Sequence, residues 1–298
     1  MPAFWQDPAG NLSRSRLAAL VLAALPALWL AWQAFTGGLG PRPITAAIHE
    51  TGDWSLRLLW LTLLITPLRR MVDWPRAVAV RRILGVSALA YALAHVVLYG
   101  LDLRFDLARI ASEIVQRIYL GIGMLGLVGL LILGASSSDS AVRRLGAAEW
   151  QSRHRLIYAI APLALVHFFI QSKLKVDQPV LMAGFLVWLM GWRWLEARGR
   201  SHAAGLAALA VLATLATMLI ELAWYGLFTG IAASRIFFAN FDFDFEIRMM
   251  WFVLAATLGA ALIQALRGRT PSRRSSGKDA PQRGARLRAG QFPGVQGL

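Results

Sequence analysis

The sequence holds five histidines, His49, His95, His154, His167 and His202. Two of them frame one apolar run, HRLIYAIAPLALVH (154–167), and a third, His95, lies in another, RRILGVSALAYALAHVVLY (81–99). Imidazole in such a setting either carries a proton or presents a neutral nitrogen lone pair to a metal. Cysteine is absent, which excludes disulfides, thiolate metal sites, iron–sulfur clusters and covalently attached c-type haem. Axial ligation of b-type haem iron by neutral imidazole stays open. So does the plainer alternative, a histidine hydrogen-bonded to a neighbouring carbonyl. No set of residues reads as a catalytic triad, a Walker loop or a metal cage, so no catalytic residue is assigned.

The elements that must position these histidines are read from composition and hydropathy. The chain has 298 residues, 57% of them hydrophobic, with twelve tryptophans and a mean hydropathy of +0.53. A soluble domain uses about 45–50% apolar residues. Eight candidate spans fall at 16–35, 52–67, 82–101, 118–135, 155–172, 178–194, 204–224 and 249–266. Most approach the ~20 residues needed to cross a hydrocarbon core of ~30 Å. Lipid offers backbone groups no partner, so the spans are helices. The expected fold is all-α, a polytopic transmembrane bundle of about eight helices. The first run follows Arg14 and Arg16 as in a signal peptide, but it extends from Leu17 to Phe35 and lacks an A-x-A site. It reads as an uncleaved helix.

A net charge of +15 would suggest nucleic acid in a soluble protein; here the arginines sit between spans. With the N-terminus inside, the larger part of the 31 Lys and Arg falls on one side. These are Arg14 and Arg16, the group from Arg69 to Arg82, Arg143 to Arg155, Arg193 to Arg200, and the tail. The acidic stretch FDFDFEIR (241–248) falls opposite. The positive-inside rule then sets both termini in the cytoplasm. The basic residues also imply attraction to anionic lipid, and no nucleic-acid partner is expected. Residues 270–298, rich in Arg, Ser, Gly, Pro and Gln, read as a disordered basic tail.

This layout assigns depths. His154 lies at the inner end of the fifth span, and His167 about 19 Å further out. His95 lies near the outer end of the third span, level with His167. Histidines at one depth on two helices can clamp a macrocycle between them. Arg81, nearly four turns before His95 and on almost the same face, is level with His154. It either neutralises a haem propionate or serves as a loop arginine; a protonated guanidinium is a poor iron ligand. Thirteen helical residues turn His167 about 140° from His154. Either a kink at Pro162 rephases the helix or two haems approach from different sides. His49, in HETGDW, is a surface or proton-carrying group, and His202 has no assigned role. Glu221 is either a membrane-embedded functional acid or a headgroup-level carboxylate beside Trp224 and Tyr225.

TGDWSLRLLWLTLLITPLRR (51–70), RRILGVSALAYALAH (81–95) and LGAAEWQSRHRLIY (145–158) together resemble the MsrQ (YedZ) family. That family is the haem-binding membrane subunit of bacterial periplasmic methionine sulfoxide reductase systems, within the ferric-reductase-like transmembrane superfamily. The resemblance covers about residues 45–195. It implies b-type haem, one or two per chain, held by His95, His154 and His167, with Arg81 matching the first arginine of the RR-x-LG motif. It implies electrons from a cytoplasmic flavin reductase or the quinone pool, with FMN associated. It also implies a periplasmic molybdopterin partner that reduces methionine sulfoxide in oxidised proteins. On this reading the chain is an electron-transfer subunit in the bacterial inner membrane. Residues 1–44 form an N-terminal segment with the first helix, and 45–200 the ferric-reductase-like core. Residues 201–269 add two helices, and 270–298 form the tail. The chain departs from the family pattern at Arg153, where leucine is expected, and in QRIYL (116–120), which lacks the proline of the usual RPY. Two rivals are a ferric-reductase-like cytochrome b with another acceptor and a non-haem transporter, the latter at odds with the near-absence of midplane acids.

Overall fold

Long apolar runs must satisfy their own backbone in lipid, and twelve helices form among the described residues, with no strand. The structure is a computed structural model. It describes Gln6, residues 10–75, 77–244 and 246–268. The tail expected to be disordered, and Arg76 and Phe245, lie outside them.

In chain order, α1 (Arg14–Thr36) ends on Gly37 at φ 74°, a left-handed cap that glycine adopts without steric cost. Next come α2 (Pro43–Met71), with proline at its first position, and α3 (Ala77–Asp102). The short α4 (Leu107–Gln116) is capped by Asp106, whose side chain accepts the Arg109 N–H at 3.0 Å. Then follow α5 (Ile118–Ala135), α6 (Asp139–Leu145), α7 (Ala147–His154), α8 (Ile157–Ser172) and α9 (Asp177–Ala197). The chain continues with α10 (Ala203–Phe228), α11 (Ala233–Ala239) and α12 (Met249–Gly268).

Seven segments are long and apolar enough to cross a membrane: α1, α3, α5, α7 with α8, α9, α10 and α12. The remaining expected span is α2. It has 29 residues and the longest set of buried side chains in the bundle, but His49, Glu50, Asp53 and Arg57 make its first half polar. It begins at Pro43, about nine residues before the expected start, because helix geometry tolerates polar residues that hydropathy does not count.

Four helices close a ring: α2 packs on α3, α3 on α5, α5 on α8, and α8 back on α2. Glycines on α5 make the ring tight. A Cβ on Gly129 would stand 2.6 Å from Ile160 Cγ1, and one on Gly134 would strike Leu89. Small residues of this kind let membrane helices approach closely. Polar side chains tie the ring to its neighbours: Tyr91 Oη donates to Ala23 O (2.8 Å) and Trp60 Nε1 to Met182 O (2.9 Å). Helices α10 and α12 pack on each other and on α9, at the flank of the ring.

Alternation of sides is visible in the ion pairs. Arg70 pairs with Glu196 and Arg82 with Asp139, while Arg267 donates to Met71 O. The arginine-rich ends of α2, α3, α6, α9 and α12 thus meet on one side of the bundle.

The fifth span, expected at 155–172, is α8, which starts within two residues of that position. A break at Arg155–Leu156 separates it from α7, and Pro162 sits exposed within α8. The polar run EWQSRHR keeps α7 distinct, and the apolar part starts afresh at Ile157. Amides of Leu156, Tyr158 and Ala159 bond to carbonyls three residues back, each at 3.0 Å. Such winding turns about 120° per residue instead of 100°, so this junction recovers on the order of 60° of the ~140° offset.

Candidate functional site

His95 on α3 and His167 on α8 come from opposite corners of the four-helix ring, and their imidazoles meet inside it. Their ring centroids are 6.3 Å apart and their planes cross at 88°. The intervening helices hold each ring from behind. His95 Nδ1 lies 2.8 Å from Ile48 O on α2, and His167 Nδ1 lies 2.7 Å from Tyr119 O on α5. A carbonyl only accepts, so Nδ1 carries the proton in both rings and each Nε2 keeps its lone pair. A backbone carbonyl on the far nitrogen is the usual device for fixing the tautomer and orientation of a metal-ligating histidine.

Glycines make room for those rings. A Cβ on Gly52 would lie 3.0 Å from His95 Nδ1, and one on Gly123 would lie 2.7 Å from His167 Nδ1. One turn along α5, Gly126 is buried, yet a Cβ there would meet nothing within 4 Å. The inner face of α5 therefore opens onto free space beside the histidine pair.

These residues fit a haem. Two imidazoles sharing one iron place their ring centres about 6.2 Å apart, from ~2 Å for each metal–nitrogen bond and ~1.1 Å from nitrogen to ring centre. The observed separation matches that figure. A metal held by protein side chains alone does not fit: no group of three or more His, Asp or Glu could hold an ion among the described residues.

The level of His154 is built differently. His154 ends α7, its Nδ1 3.0 Å from Trp150 O and its ring stacked on the Trp150 indole at 3.9 Å. Trp150 is itself fixed by donating Nε1–H to Ser136 O at 3.0 Å. Arg81, on α3, lies within electrostatic reach of His154, Tyr158 and Arg193. None of the ion pairs among the described residues gives Arg81 a carboxylate partner. A partly buried, unpaired guanidinium suits an anionic group such as a propionate. His154 thus has Arg81 as its neighbour, and no second histidine faces it.

The other singled-out residues fall elsewhere. His49 is exposed on α2, 3.4 Å from Gln171, and His202 caps α10. Glu221 is 3% exposed and pairs with Arg248 at 3.5 Å, so its carboxylate is enclosed by protein near the end of α10. The sequence reading missed Gly52, Gly123, Gly126, Trp150 and the carbonyls of Ile48 and Tyr119. Glycines at histidine depth on neighbouring helices were the available signal; the carbonyls have none.

The chain is 40% identical over 174 residues to the protein-methionine-sulfoxide reductase heme-binding subunit MsrQ of Caulobacter vibrioides, covering 58% of this chain and 83% of that protein. The MsrQ proteins of Polaromonas naphthalenivorans and Azospira oryzae are 37% and 36% identical over 183 and 194 residues. Those matches cover 59% and 64% of this chain and 84% and 83% of theirs. This chain belongs to the MsrQ family. A family model, the ferric reductase like transmembrane component, also matches residues 51–165. That region takes in Gly52, Arg81, His95, Gly123 and His154 and stops two residues short of His167. Helices α10 to α12 lie beyond it. No solved structure matches the chain.

Proposed function

We propose that this MsrQ-family chain is the haem-binding, electron-carrying membrane subunit of a methionine sulfoxide reductase system. It takes electrons on the cytoplasmic side from a flavin reductase, with FMN, or from quinol. It delivers them to a periplasmic molybdopterin subunit that reduces methionine sulfoxide in damaged proteins. The observation that carries the reading is the 6.3 Å pairing of His95 and His167, each with Nδ1 bound to a carbonyl.

His95 and His167 hold the outer haem, and His154, with Arg81 at its side, serves the inner level. Haem iron supplies reversible one-electron chemistry. The chain's own residues do the rest. Ile48 and Tyr119 carbonyls orient the outer imidazoles and make them more basic ligands. Gly52 and Gly123 let them sit flush against α2 and α5. The apolar ring excludes water, and Arg81 balances negative charge at the inner level. The arginine-rich ends of the helices support the cytoplasmic assignment of that side. No residue acts on the sulfoxide, so the chemistry on substrate belongs to the partner.

The test is the reduced-minus-oxidised absorption spectrum of the purified full chain, with haem counted per chain. Sharp reduced bands of six-coordinate b haem, at one to two per chain, are expected. His95→Ala and His167→Ala should each abolish the outer haem, and His154→Ala only the inner one. Equal loss from all three variants would sink the two-level arrangement. A preparation that stays colourless after haem supplementation would make the histidines structural and favour a transporter.

A further inference from the structure

Away from the histidine ring, α9 and α10 leave a groove of about 610 Å³ at the end where α9 stops and α10 begins. Met190, Trp194, Leu195, Leu209 and Leu212 make its walls apolar, and Arg200 and His202 stand at its mouth. The groove faces outward, since Trp194 is 52% and Leu212 62% exposed. It lies at the arginine-rich end of the bundle, because α9 ends beside the Glu196–Arg70 pair.

The mouth is built for an anion. His202 caps α10 by accepting the Gly205 N–H on Nδ1 at 3.1 Å, so its neutral ring carries the proton on Nε2 as a free donor. The first amides of α10, at Ala203 and Ala204, have no partner within the helix, and the positive end of a 26-residue helix dipole points the same way. Arg200 has no carboxylate among the ion pairs of the described residues. Arg198 is stacked 3.9 Å over the Trp194 ring. The nearby acid, Glu196, is already taken by Arg70 and Ser201.

We propose that this groove binds an anionic phospholipid. Its phosphate sits at Arg200, His202 and the start of α10, and an acyl chain runs along Trp194, Leu209 and Leu212. An uncharged quinone headgroup would fit the apolar walls but leave the Arg200 charge unused. Charge complementarity therefore selects the phospholipid, and the site ties α10 to the core helix α9 through lipid as well as through direct packing.

Native mass spectrometry of the full chain, titrated with phosphatidylglycerol or phosphatidylcholine of the same acyl composition, tests this. A basic side chain beside an anionic headgroup gives a preference of about fivefold, so phosphatidylglycerol should bind about fivefold more tightly. Arg200→Glu combined with His202→Asn, which keeps a capping oxygen on α10, should remove that preference. Ala208→Trp, which fills the groove, should weaken both lipids. Arg143→Ala with Arg144→Ala, on α6, should change nothing. Equal binding of both lipids, a preference that survives Arg200→Glu/His202→Asn, or equal loss in the α6 variant would overturn the proposal. Displacement of phosphatidylglycerol by a short-chain ubiquinone at equal concentration would assign the groove to quinone instead.

Discussion

Gly123 and Gly52 decide where two imidazoles can stand, and their substitution separates the ligand role from general packing. Gly123→Ala would bring a Cβ to 2.7 Å from His167 Nδ1, whereas Gly52→Ala reaches 3.0 Å from His95. Overpacking of this kind costs about 1–3 kcal/mol, and here it is relieved by turning the ring off Tyr119 O. We expect Gly123→Ala to lose most bound haem and Gly52→Ala to lose less, read as the haem-to-protein ratio. Gly126→Ala is the sharper test, because its Cβ meets no protein atom. It should leave the melting temperature of haem-free chain unchanged yet lower haem content. Unchanged haem in Gly126→Ala would mean that the free space beside α5 is not where the macrocycle lies. The histidines were legible in the sequence, because an imidazole in an apolar run is a rare and costly choice. The carbonyls of Ile48 and Tyr119 were not, since every residue has one and only packing selects which is used.

At the scale of elements, polar pairs add to the packing that holds α4 and the α10–α12 pair. Helix α4 buries none of its side chains and is tied to α3 by Tyr99 Oη, which donates to Glu113 at 2.8 Å. That bond, helped by Arg117 and Arg109, holds the Glu113 carboxyl below its ordinary value of 4.5. The resulting stability is fully present above the ordinary carboxylate range and is lost as pH falls through the lower folded value. Amide protection factors in 107–116, corrected for intrinsic exchange, should therefore fall on acidification, and Glu113→Gln should flatten that dependence. In the second element Arg248 faces Glu221, whose side chain is 4% exposed. Removing one member of such a pair leaves an uncompensated charge. Arg248→Ala should thus destabilise by about 1–3 kcal/mol, and the double variant with Glu221→Gln by less than the sum of the two. Additive losses in detergent unfolding would show that the two groups do not interact. The division of α7 from α8 belongs to this scale as well. The hydropathy boundary at residue 155 falls at the break, but the polar helix before it did not register in hydropathy, and backbone winding at Leu156 to Ala159 follows local hydrogen bonding.

For the whole molecule, the ring that carries the histidines closes through α2, α3, α5 and α8, without α10 or α12. The added helices pack mainly on α9 and meet the ring through Arg267 on Met71 O, the Phe169–Trp224 ring contact and two bonds at the α8–α9 turn. Trp224 Nε1 donates to Lys173 O at 3.0 Å, and Tyr225 Oη to Leu174 O at 2.9 Å. A chain ending at residue 200 should therefore keep its haem with the same absorption maxima, while its melting temperature falls. Loss of haem on this truncation would place α10 and α12 within the site's support and not beside it.

Hydropathy and charge were enough for an all-helical membrane bundle, its approximate spans and the arginine-rich side. Each of these follows from composition along one segment, through transfer energy and the cost of an unpaired backbone group. The level of His95 and His167 was also legible, because helical rise converts sequence distance into depth. What only the tertiary structure decided was azimuth. Which helices stand at opposite corners, which glycines let a ring lie flat, which carbonyl receives each Nδ1–H, and how Glu221 finds Arg248 all depend on helix rotation and neighbour choice. These are set by packing among segments far apart in the chain, and no local pattern of residues encodes them.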